Sequence, residues 1–94
     1  MVELLLLPAA ERDLEEAIDW YFARSTEAAE RFADEMDRAL DDIREAPARF
    51  PRWDDRHRFF LLRRFPYYVA YRTEPGRILV VAVRHTSRSG DLPN

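Results

Sequence analysis

The chain of 94 residues has no cysteine, no lysine and only two glycines. Without cysteine it can form neither a disulfide framework nor a thiolate metal site. With Gly76 and Gly90 alone there is no glycine-rich loop to cradle phosphates, so no nucleotide cofactor is expected. Long apolar runs are missing too. The N-terminal one, Leu4–Leu7, is far below spanning length, and Glu3 stands where a signal peptide carries a basic flank. These absences predict a soluble cytoplasmic protein with no membrane partner. The hydrophobic share of 47% is that of a globular chain and not of a disordered one. The length predicts a single domain over 1–94 with a modest core.

Charge is divided unevenly. Residues 1–46 carry fourteen acids and five arginines, whereas residues 47–94 carry ten arginines and four acids. The net charge of −3 therefore hides a positive second half.

The second half turns on Arg63-Arg64-Phe65-Pro66-Tyr67-Tyr68-Val69-Ala70-Tyr71-Arg72. Pro66 lacks an N–H and suits the start of a strand, and the aromatic, β-branched run behind it is strand chemistry. Glu74-Pro75-Gly76-Arg77 reads as a turn into a second strand, Ile78–Val83, which leads to Arg84-His85-Thr86-Ser87-Arg88. Upstream, Arg58–Arg64 is a third strand with an apolar centre, and the Arg49–Arg58 segment is a loop anchored by Phe50 and Trp53.

In the first half, Val2–Leu7 reads as a buried strand and Pro8 suits the first position of a helix. Ala10, Leu14, Ala17, Ile18 and Tyr21 form one stripe at helical spacing. Ala29, Phe32, Ala33, Met36, Ala39, Leu40 and Ile43 form another, with Ser25 or Thr26 as the cap between them. The expected fold is α+β in two layers, ordered β-α-α-β-β-β: an N-terminal strand and a helical hairpin on a mainly antiparallel sheet of about four strands. The expected core is Leu14, Ile18, Phe32, Met36, Leu40, Leu61, Val69 and Val81. Strands apolar at every position want burial on both faces, and one helical hairpin covers one. The second face should be closed by the termini, by another copy or by a partner.

Taken together, these segments resemble the RelE/ParE family of toxins from bacterial type II toxin–antitoxin modules. The resemblance rests on Asp13-Leu14-Glu15-Glu16-Ala17, Ala46-Pro47, Arg64-Phe65-Pro66-Tyr67-Tyr68-Val69-Ala70-Tyr71 and Val81-Ala82-Val83-Arg84-His85-Thr86-Ser87-Arg88. It implies a RelE-like fold and an antitoxin partner in a hetero-oligomer. Its ribonuclease branch, which cuts mRNA on the ribosome, uses lysines where this chain has Phe59-Phe60-Leu61, an arginine where it has Tyr68, and a terminal tyrosine near Leu92. The ParE-like branch, which inhibits DNA gyrase by binding, shares the apolar strand, and this chain sits closer to it. That family often closes on an arginine-x-proline-x-aromatic segment; here Arg88-Ser89-Gly90-Asp91-Leu92 stands instead.

The candidate groups follow. As a ribonuclease the chain would work through His85, Arg88 and Arg64, with His85 as acid or base. As a binding protein it would present Phe60, Leu62 and Tyr71 as apolar surface, rimmed by Arg63, Arg64, Arg84 and Arg88. Asp54, Asp55 and His57 match no common metal-site spacing and are expected as an exposed loop, so neither metal nor cofactor is assigned.

Overall fold

The computed structural model describes residues 2–88 and 90–93 and runs β1 (Glu3–Leu6), α1 (Pro8–Phe22), α2 (Thr26–Glu45), β2 (Arg58–Leu61), β3 (Tyr67–Glu74) and β4 (Arg77–His85). This is the expected α+β order. Pro8 opens α1, where its missing N–H is no loss. Ser25 caps α2, its Oγ accepting the Ala28 N–H at 3.1 Å. α2 stops at Glu45, ahead of Pro47. Phe32, Met36, Ala39 and Ile43 of α2 and Ala10 and Ala17 of α1 are buried, with Leu14, Ile18 and Leu40 packed around them.

The sheet has the order β1-β4-β3-β2. β2, β3 and β4 form the antiparallel meander, β1 lies parallel to β4, and the helical hairpin carries the chain from one edge strand, β1, to the other, β2. Pro75 and Gly76, with Gly76 at φ 77°, close the β3–β4 hairpin in the pattern of a type II turn.

Alternation sends Tyr67, Val69 and Tyr71 toward the helices and Tyr68 and Ala70 to the opposite face. Ala70 pairs with Ala82 but Tyr71 pairs with Val80, so Val81 is an extra residue in β4. This bulge lets Val80 and Val83 both face the helices, while Val81 and Ala82 between them face away. Val81 is thus buried, but behind the sheet and not under the helices.

The phase of β2 corrects several expectations. Leu61, expected in the core, is 57% exposed, whereas Leu62 and Tyr71, expected on an exposed apolar surface, are 4% and 0% exposed. Phe60 is half-buried against Phe50 on the helix side, with ring centroids 4.8 Å apart. Phe59–Leu62 is apolar at every position, so nothing in its pattern says which residues point inward. The register Phe60–Val69 and Leu61–Tyr68 decides it.

The chain closes much of its own second face. Leu92, Leu7 and Phe59 lie with Tyr68, Ala70, Val81 and Ala82, and Trp53 stacks on Tyr68 at 5.0 Å and 18°. Arg84 Nη1 donates to the Asp91 carbonyl at 3.2 Å and holds the tail in place. Ser89 of that tail lies outside the described residues. Leu5, Trp53 and Leu61 stay partly exposed on this side. Among the described residues no helix is long and apolar enough to cross a membrane.

Candidate functional site

Arg63 and Arg64 occupy the turn between β2 and β3, and an acid on α2 holds that turn. Glu35 sits three residues after Phe32 and four before Ala39, which places a carboxylate within the apolar stripe. It is only 8% exposed. Its Oε2 accepts the backbone N–H groups of Arg63 at 2.5 Å and Arg64 at 3.2 Å. Both guanidinium stems therefore leave from a turn clamped to the helical layer, and both side chains are exposed. The sequence reading passed over Glu35; its signal was an acid at a stripe position.

The same turn is tied to the exit of β4, since the Thr86 N–H donates to the Pro66 carbonyl at 2.7 Å. There Arg84, His85 and Arg88 join Asp13, Glu16, Trp20 and Tyr67 around a hollow of about 230 Å³. Asp13 Oδ2 accepts the Val83 N–H at 3.1 Å, which joins α1 to the end of the sheet. His85 is exposed, and its ring meets Tyr67 edge-on at 5.3 Å. Nδ1 accepts the Ser87 N–H at 3.0 Å, so the neutral ring carries its proton on Nε2, facing outward from that turn. Burial pushes the Tyr67 hydroxyl above its ordinary pKa, and burial plus the neighbouring Tyr67 does the same to Tyr21.

Of the candidate ribonuclease groups, His85 and Arg88 line the hollow and Arg64 does not. Arg84, His85 and Arg88 share the hollow with two carboxylates, which offset their charge. Arg63 lines a different groove, and Arg64 is in the wall of neither. A phosphoryl transition state needs cations that converge on it.

Arg63's groove, of about 850 Å³, runs between α2 and β2, with Ala39, Phe50, Phe59, Phe60 and Leu61 as apolar lining and Arg38, Asp42 and Arg49 among its charges. β2 is one of the two edge strands of the sheet. The Phe59 N–H donates outward to the Pro51 carbonyl at 3.0 Å, so the loop covers one end of that edge. The Leu61 N–H points the same way, and among the described residues no loop carbonyl accepts it. An apolar lining beside a half-open strand edge suits an extended peptide that adds to the sheet.

The α2–β2 loop departs from expectation at one residue. Asp54 and Asp55 are exposed, but His57 is 3% exposed. Among the described residues no group of three His, Asp or Glu side chains could hold a metal ion.

A family model described as the ParE toxin of type II toxin–antitoxin systems, parDE, matches residues 4–90. The chain belongs to the ParE toxin family. A solved structure from P. aeruginosa, described as a chromosomal ParDE TA system, shares the fold: the TM-score is 0.79 at 19% identity, covering 90% of this chain and 96% of that one. No curated protein matches the chain. The ParE match takes in the helical hairpin, the Arg63–Arg64 turn and the hollow at the end of β4. It stops just short of Leu92, which packs on the back of the sheet.

Proposed function

We propose that this chain is the toxin of a type II toxin–antitoxin module, that it acts by binding DNA gyrase without a chemical step, and that a cognate antitoxin neutralises it in a hetero-oligomer. One observation carries the choice of binding over ribosome-dependent mRNA cleavage: the basic groups are divided between two surfaces. Arg84, His85 and Arg88 stand beside Asp13 and Glu16, while Arg63 belongs to the α2–β2 groove. Phe59 and Leu61, where the resemblance places ribonuclease lysines, instead help to line an apolar groove. That groove is where an antitoxin segment would lie, pairing with the free end of β2 and setting carboxylates against Arg63 and the exposed Arg64. Phe60 contributes from the groove wall, while the buried Leu62 and Tyr71 support it from beneath.

Induced expression tests the reading. The expected result is a DNA-damage response, with purified chain blocking gyrase supercoiling and leaving ribosome-bound mRNA intact. Codon-positioned mRNA cuts that disappear in His85→Ala, Arg88→Ala or Arg64→Ala would assign the chain to the ribonuclease branch. Co-expression with the product of the adjacent reading frame should give a stable complex. Arg63→Glu and Arg64→Glu should slow its association and reduce the salt dependence.

A further inference from the structure

His57 is the most unusual residue of the α2–β2 loop. Asp54 Oδ1 accepts the backbone N–H groups of Arg56 and His57, both at 2.8 Å, and His57 Nδ1 lies 2.9 and 3.0 Å from the two Asp54 oxygens. The carboxylate therefore takes the Nδ1 proton, and Nε2 is the nitrogen left over. Among the described residues three buried side-chain polar atoms have no partner: His57 Nε2, Arg72 Nε and Tyr68 Oη. Two of these three belong to residues in the wall of one pocket, of about 310 Å³. Buried polar atoms without a partner call for an explanation, and a bound water or ligand is one.

The rest of the wall has the matching charge. Arg52 and Arg58 face each other across an antiparallel bridge. Arg58 is in register with Tyr71 and shares its face of the sheet, so Arg72 points to the opposite face. Like charges set opposite one another destabilise a sheet. Among the described residues neither Arg52 nor Arg58 has a carboxylate partner; Arg58 Nη1 donates to the Phe50 carbonyl at 2.7 Å and Arg52 Nη1 to the Asp55 carbonyl at 3.4 Å. Arg72 pairs with Glu74. Asp55 is the sole carboxylate in the lining, against four arginines.

We propose that this pocket binds a phosphate-type oxyanion, held by the guanidinium groups of Arg52 and Arg58 beside the His57 imidazole. Planar guanidinium forks match phosphate oxygens in pairs, and an anion between them relieves the repulsion across the Arg52–Arg58 bridge. His57 Nε2, its ring proton held on Nδ1 by Asp54, accepts from a water in that pocket or from a protonated phosphate oxygen. The volume is at the small end for ligand pockets and leaves room for a phosphate group. The site lies toward the end of β3 away from Tyr67 and His85 and adjoins the α2–β2 groove at Phe50, Pro51 and Phe59 without sharing its lining, and it does not depend on the gyrase reading.

The test is a titration of the full chain with inorganic phosphate, followed by amide chemical shifts and compared with chloride at matched ionic strength. Saturable shifts confined to residues 52–58 and 71–73 are expected, with a dissociation constant of about 1 mM or tighter. Arg52→Gln and Arg58→Gln should each weaken binding by about tenfold or more, while Arg31→Gln on α2 should leave it unchanged. Arg52 is exposed, so its variant keeps the test valid if Arg58→Gln disturbs the loop. Displacement by a short oligonucleotide only when it carries a 5′-phosphate would identify a terminal monoester. Displacement with or without it would identify backbone diesters, and displacement by neither would identify free phosphate. Shifts that never saturate and equal those from chloride, or Arg52→Gln and Arg58→Gln chains that bind like the parent, would overturn the proposal.

Discussion

Removing the Glu35 carboxylate should loosen the turn that carries Arg63 and Arg64. In Glu35→Ala, two backbone N–H groups lose their acceptor at once. Hydrogen bonds to a charged group contribute roughly 1.5–3 kcal/mol each, but this turn is at the surface and water can reach part of it, so a loss of about 2–4 kcal/mol is expected. A domain of this size has about 5–15 kcal/mol in total. With a urea slope of about 1.5 kcal/mol/M, the midpoint should fall by about 1.3–2.7 M. Glu35→Gln keeps an acceptor oxygen in nearly the same place and should lose about half as much. Hydrogen exchange supplies an independent readout, since the Arg63 and Arg64 amides should exchange faster in Glu35→Ala while those of β3 and β4 follow global stability. The clamp would be refuted if Glu35→Ala were within about 0.5 kcal/mol of the parent, or if Glu35→Gln were equally damaging.

Phe32 is 0% exposed and meets Tyr21, Phe65 and Tyr67 at 5.1–5.2 Å, so Phe32→Ala should cost about 3–5 kcal/mol in urea unfolding and endanger the fold. Tyr71 donates its hydroxyl proton to the Pro47 carbonyl at 2.6 Å, and Tyr71→Phe should cost about 1–2 kcal/mol by stranding that acceptor. Burial pushes the Tyr71 hydroxyl from 10.0 up to about 12 despite the opposing pull of Arg58, so the unfolded chain ionises first. Its contribution is present below about pH 10 and lost as pH rises toward about 12, and the parent should lose on the order of 1–2 kcal/mol more than Tyr71→Phe across that window. Leu61→Glu alters an exposed side chain and should change stability by less than about 0.5 kcal/mol, yet markedly weaken capture of the antitoxin segment in a pull-down.

Where a physical rule acts locally, the sequence was enough. Pro8, Ser25 and Pro47 mark the ends of the helices because a missing N–H, a hydroxyl acceptor and a restricted preceding residue act within one turn. The spacing of Phe32, Met36, Ala39 and Ile43 named the buried face of α2, since a helix has one phase once its stripe is drawn. Pro66 and the Pro75-Gly76 pair bounded β3 for the same local reasons.

Everything that depended on pairing across the chain was decided by tertiary structure. Phe59–Leu62 has no alternation, so only its register with β3 could expose Leu61 and bury Leu62. The extra residue at Val81 changes which β4 residues face the helices, and no local pattern announces it. Glu35 looked like one more acid on an acidic helix until the β2–β3 turn folded over it, and His57 looked like a loop residue until Asp54 and the basic wall enclosed it. Local sequence carries propensity and periodicity, but a polar group's role depends on what arrives from elsewhere in the chain. That Arg63 lines the α2–β2 groove while His85 and Arg88 line the hollow at the end of β4 is therefore a property of the fold.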